Sequence, residues 1–261
     1  MKRLLSDGTS VRISGTGPTL IFLHGVGLNQ LIWTEQVKSF SPHYRVITYD
    51  LLGHGETTKR GYALADWVAQ LENLTRDLDV RSFILVGFSF GGMIAQAYAA
   101  KHESMLEKLV LMSTVHERTP LQRASILARL KLAEQQGPSA IITAALARWF
   151  SPAFAAANPD IIQDYDRLLR NNDADSFLAA YRCFVNSDKE LVGSLSALKC
   201  PVLVMTGKHD SGSTPAMAEN LASTIPEAEC SVLFRGWHMI PVERAADVNF
   251  LLREFIEGAS S

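Results

Sequence analysis

The sequence predicts an α/β domain built on a mainly parallel, doubly wound sheet, with a helical block inserted into it. Three observations carry this reading. Short β-rich runs bounded by turn residues alternate with segments of helical periodicity. Several of these runs are apolar throughout rather than at every second position, as strands covered on both faces are. The alternation stops between about 116 and 198, where only helical patterns occur. A chain of 261 residues has room for one domain, or one domain with an insertion.

Taken in order, the predicted strands are TLIFLH (19–24), RVITYD (45–50), SFILVGF (82–88), KLVLMS (108–113), PVLVMTG (201–207) and CSVLF (230–234). Helices are expected over 62–78, where Trp67, Leu71, Leu74 and Leu78 share one side, and over 91–102, 215–224 and 241–256. Pro215 and Pro241 suit the first turns of the last two. The inserted block reads LQRASILARLKLAEQQ, PSAIITAALARWF, DIIQDYDRLLR and DSFLAAYRCFV, broken at Gly137-Pro138, Ser151-Pro152 and Asn158-Pro159. The chain therefore divides into a first core part (1–115), a helical cap insertion (116–198) and a second core part (199–261).

Composition narrows the partners. Lys plus Arg (25) nearly balance Asp plus Glu (27), so no basic excess advertises a nucleic acid or an anionic membrane, and a small-molecule ligand is expected. Cys183, Cys200 and Cys230 are scattered and odd in number, with neither disulfide nor metal-ligand spacing, and read as buried thiols of a reducing compartment. The opening MKRLLSDGTS runs from its basic pair into Ser-Asp-Gly without an apolar stretch, and no run approaches the ~18 apolar residues of a membrane span. A cytoplasmic protein is expected; oligomeric state is left open.

The stretch LVGFSFGGM (85–93) is where chemistry enters. Ser89 falls between a predicted strand and a predicted helix, flanked by Gly87 and Gly91. A sharp strand-to-helix turn holds such a serine in a strained conformation, exposes its hydroxyl and requires small neighbours. Ligands of open α/β sheets bind at the carboxyl ends of the strands, which is where this turn lies. An acyl-transfer site on this architecture needs an acid and then a histidine, in that order, after the serine. Asp210, just past the strand at 201–207, and His238, in the loop after 230–234, satisfy the order and the placement. Catalytic roles are assigned to Ser89, Asp210 and His238 on these grounds. The backbone N–H groups of Phe90 and of Val26, in the loop LHGVGLN after the strand at 19–24, are the expected oxyanion hole.

With these residues in place, the chain resembles the α/β-hydrolase superfamily over almost its full length: HGVG, DLLGHG (50–55), GFSFGG, GKHD and HMIPVE occur in family order. The resemblance implies the α/β-hydrolase fold, with the inserted helices acting as a cap. Within the superfamily, RWFSPAF (148–154) and GSTPAMA (212–218) are similar to the 3-oxoadipate enol-lactonase group of carboxylic ester and lactone hydrolases. Trp237 stands where relatives more often carry glycine and is expected to shape the pocket.

Other polar residues receive quieter readings. Asp50 and His54 precede the serine and read as hydrogen-bond formers that shape a loop, and His24 as the residue that orders the oxyanion loop. Arg118, Arg123, Arg129, Arg167, Arg170 and Arg182 read mostly as a solvated helix face. Arg148 differs because it abuts Trp149 and Phe150 beside the Ser151-Pro152 break, where a guanidinium could grip a substrate carboxylate. Arg148, Trp149 and Trp237 are thus the expected substrate-binding residues. The expected reaction is hydrolysis of a small ester or lactone through an acyl-enzyme, with no metal or organic cofactor, failing in acid where the imidazole base is protonated. Cleavage of a C–C or amide bond in a carboxylated ring-cleavage product, perhydrolase or cofactor-free oxygenase chemistry, and ligand reception without turnover are the alternatives.

Overall fold

The computed structural model describes residues 1–258 of the chain. Eight strands form one sheet: β1 (Lys2–Leu4), β2 (Ser10–Ser14), β3 (Thr19–Leu23), β4 (Arg45–Tyr49), β5 (Phe83–Phe88), β6 (Leu106–Met112), β7 (Val202–Gly207) and β8 (Glu229–Leu233). Their order across the sheet is β1-β2-β4-β3-β5-β6-β7-β8. From β4 to β8 every pairing is parallel, while β2 pairs antiparallel with both β1 and β4. The six predicted strands are all present; the antiparallel β1–β2 edge is an addition, and its first strand is exposed at every position.

The apolar strand runs follow from burial on both faces. Along β3, Ile21 and Leu23 enter one core, shared with Trp67, Leu71 and Leu74 of α2 (Leu64–Asp77), Met93 of α3 (Phe90–His102) and Leu221 of α9 (Pro215–Ser223). Leu20 and Phe22 point the other way, to Phe40 of α1 (Thr34–Phe40) and Leu252 and Phe255 of α11 (Ala245–Glu257). Neighbouring residues thus serve opposite cores with the two-residue period of a strand, and no polar position is left between them.

The predicted helix at 241–256 is in fact two. α10 (Ile240–Glu243) stops at Arg244, whose φ of −122° and ψ of 35° leave the helical region, before α11 begins. Glu243 there turns its carboxylate to the Ser151 amide, 3.1 Å away. The cysteines need a correction as well: Cys183 is buried, but Cys200 is half-buried and Cys230 exposed, because β8 is an edge strand.

Between β6 and β7 the chain leaves the sheet for five helices, α4 (Pro120–Gln136), α5 (Ser139–Trp149), α6 (Pro152–Ala157), α7 (Pro159–Arg170) and α8 (Ala174–Asn186). Thr119 starts α4 with a reciprocal cap: its hydroxyl accepts the Gln122 N–H, the Gln122 side chain accepts the Thr119 N–H, and Pro120 occupies the first turn. The two necks of this insertion are joined by a buried ion cluster. Asp188, just beyond α8, accepts both Arg118, at 3.2 Å and ahead of α4, and Arg123, at 2.6 Å within it. Arg118 also donates to the Phe184 and Val185 carbonyls and lies over the Phe184 ring, yet burial still pulls its pKa down to about 10. Among the described residues, no helix is long and apolar enough to cross a membrane.

Removing one partner of a buried ion cluster leaves the others uncompensated. Asp188→Ala should therefore lower unfolding free energy by about 3–5 kcal/mol, read as a reduced urea midpoint.

Candidate active site

Ser89 occupies the turn between β5 and α3 with φ 55° and ψ −115°, outside the regions open to most residues. Holding it there costs of order 1–3 kcal/mol, which the surroundings must supply. Its N–H donates to the Met112 carbonyl, and its own carbonyl accepts the Gly92 and Met93 amides and the Thr114 hydroxyl. The turn packs so closely that a methyl group on Gly91 would come 2.5 Å from the Leu23 carbonyl oxygen, and one on Gly87 2.8 Å from Ala95 Cβ. Both glycines are therefore dictated by contact rather than by backbone freedom.

Asp210 lies just beyond β7 and His238 in the loop after β8, both buried. His238 Nδ1 donates to Asp210 Oδ2 at 2.7 Å, while Oδ1 of the same carboxylate accepts the Gly212 and Ser213 amides, each at 2.9 Å. The carboxylate is thereby fixed on three sides, and Nε2 is the ring nitrogen left free of this bond. The imidazole packs against two aromatic rings, Phe88 at 5.0 Å and Trp149 at 5.7 Å. Ser89, Asp210 and His238 line one cavity of about 300 Å³ between the strand ends and the inserted helices. That volume is at the small end of the range for small-molecule sites.

The loop after β3 presses against this turn: a methyl on Gly25 would stand 3.1 Å from Ser89 Cβ, and Val26 lines the cavity. His24 orders the loop. Its Nδ1–H donates to the Gly25 carbonyl and its Nε2 accepts the Leu51 amide, which ties two loops together through one neutral ring. From the other side, the Asn172 side chain donates to the Gly27 carbonyl. Phe90 is the first residue of α3, so its N–H has no partner within the helix. Asp50 and His54 are loop formers: Asp50 accepts the Gln30 and Glu56 amides, and His54 Nδ1–H donates to the Leu52 carbonyl.

The expected substrate-binding residues divide. Arg148 and Trp149, at the end of α5, line the cavity. Trp237 is placed elsewhere, with its ring stacked on His209 at 4.2 Å. Adjacency to His238 in sequence does not bring the two side chains to the same place. Arg118 and Arg129, read from sequence as part of a solvated face, also line the cavity. The signal was available in the spacing: Gln122, Ser125, Ile126 and Arg129 recur at three- and four-residue intervals on the inner stripe of α4. The end of α5 is also lashed to the histidine loop, since Met239 N–H donates to the Trp149 carbonyl at 2.9 Å and Ser151 N–H to Glu243.

This fold and constellation define an α/β hydrolase. The profile of the Alpha/beta hydrolase family matches residues 20–249, and the chain belongs to that family. A curated relative in Acinetobacter baylyi, (E)-2-((N-methylformamido)methylene)succinate hydrolase, is 28% identical over 93% of this chain and 92% of its own length. The 3-oxoadipate enol-lactonase 2 of the same organism is 27% identical over 89% of this chain and 86% of its own. Among solved structures, the enol-lactonase from Burkholderia xenovorans LB400 superposes with a TM-score of 0.89 at 25% identity, covering 98% of this chain and all of the other.

Burial depresses the pKa of His24 from 6.5 to about 4 and, together with the neighbouring His24, that of His54 to about 3. Unfolded, both imidazoles take up protons below about 6.5; folded, they stay neutral until about 4 and about 3. Their contribution to stability is nearly complete above pH 7 and falls as pH drops, by about 0.7 kcal/mol per histidine from pH 7 to 6 and approaching about 1.4 kcal/mol per pH unit below that. Denaturant melts at pH 7, 6 and 5 should show this slope, with proton uptake on unfolding.

Proposed function

We propose that the protein is a serine hydrolase that cleaves a small carboxylic ester or enol-lactone through an acyl-enzyme. The observation that carries this reading is the strained Ser89 facing one small cavity with a histidine held by a buried carboxylate. His238 Nε2 removes the Ser89 proton as Oγ attacks the substrate carbonyl. Asp210 keeps the proton on Nδ1 and stabilises the imidazolium that forms. The Phe90 and Val26 amides receive the tetrahedral oxyanion, assisted by the positive end of α3. His238 then returns its proton to the leaving group and activates water for deacylation.

In this reading residues 116–198 act as the cap that limits substrate size, with 1–115 and 199–261 as the core. Arg148 binds a carboxylate of the substrate: it has no acidic partner among the described residues, and the enol-lactonase relatives support an acidic substrate. A second bond type has support as well. The relative named for a formamido-methylene-succinate substrate spans nearly the whole chain, and the same machinery would cleave an amide.

Ser89→Ala should abolish turnover of p-nitrophenyl acetate, and Asp210→Asn should lower kcat by about 10⁴-fold by disturbing the imidazole tautomer. Retention of activity by Ser89→Ala would end this reading. Arg148→Ala should raise KM for carboxylated esters by tenfold or more and leave neutral esters nearly unchanged, as steady-state kinetics on matched pairs would reveal.

A further inference from the structure

We infer that Arg129 and Arg148 together form a site for two substrate carboxylates, so that the ligand is a dicarboxylate carrying the scissile ester, lactone or amide. This rests on the reading of the cavity as the substrate site and extends it from one recognised charge to two.

Arg129 comes from α4 and Arg148 from the last turn of α5, and the two helices pack together. Both side chains line the cavity amid Ile126, Ile141, Ala145 and Leu169. Arg129 donates Nη1 to Ser125 Oγ at 3.2 Å, but its Nε is buried with no acceptor. Arg148 has neither a hydrogen bond nor an ion pair among the described residues, and burial and Arg129 both lower its pKa. The acidic groups nearby are committed elsewhere. Asp210 serves His238 and two backbone amides, and Asp188 serves Arg118 and Arg123.

Two half-buried guanidinium groups at the wall of one cavity repel each other and leave donors open, the Arg129 Nε among them, so anionic ligand oxygens are favoured there. A single carboxylate compensates one of them; a pair compensates both and supplies acceptors for the donors left open, including the Arg129 Nε. Guanidinium is suited to this because its fork matches a carboxylate. The cavity, at about 300 Å³, has room for a short dicarboxylate with a compact acyl group. Charge at the cap side and the nucleophile at the strand ends would fix which carbonyl meets Ser89.

The test is calorimetric titration of Ser89→Ala with succinate and with butyrate, which have equal carbon counts and differ in one carboxylate. Succinate should bind at least about tenfold more tightly than butyrate. Adding Arg129→Gln or Arg148→Gln should each weaken succinate by about tenfold or more while changing butyrate less than threefold, and Arg129→Lys should restore part of the loss. Thermal melts of each variant establish that it is folded. Equal affinity for the two acids, no succinate binding, or an unchanged succinate affinity in folded Arg129→Gln would overturn the inference. Loss of the hydrolase reading would show instead as Ser89-independent turnover of p-nitrophenyl acetate, a result separate from this binding.

Discussion

Everything at this site depends on one peptide unit held where peptides do not rest. Ser89 keeps a positive φ because β5, β6 and the loop after β3 leave it no alternative: Met112 takes its N–H, three donors converge on its carbonyl, and glycines stand where any side chain would collide. In that conformation the side chain makes no capping hydrogen bond to its own helix, and the first amide of α3 has no partner within the helix. A relaxed residue here would continue the strand or begin the helix, and the other groups would surround nothing reactive.

The loops beside that turn are ordered by a set of buried polar contacts. His24, Asp50 and Gln30 link the loops after β3 and β4. They are buried, and burial keeps the two imidazoles among these loops, His24 and His54, neutral. Buried polar groups that satisfy one another specify loop positions in a way that apolar packing cannot.

The strands were legible in the sequence because both sheet faces are buried, so β3 and β5 read as uninterrupted apolar runs. The β1–β2 edge was not legible: β1 is an exposed three-residue strand without pattern, and β2 carries only Val11 and Ile13 as apolar positions in five residues. Ser89, Asp210 and His238 could be selected by chain order and by position after a strand. Side-chain direction is harder to read from sequence. Trp237 follows the histidine's neighbourhood in sequence but stacks on His209, while Arg129, a charge on a helix, points inward with its apolar neighbours. The three- and four-residue spacing of Gln122, Ser125, Ile126 and Arg129 marks the stripe, but not the surface it faces, which is assembled from α5, α7 and α8.

The two hydrogen bonds between the end of α5 and the segment after His238 have an evolutionary consequence. The cavity wall at Arg148 and Trp149 and the loop that carries His238 are thereby mechanically one piece, so drift in the former disturbs the latter. Diversification toward new ligands is then channelled into α4 and α8, whose inner faces touch the cavity without gripping the histidine loop.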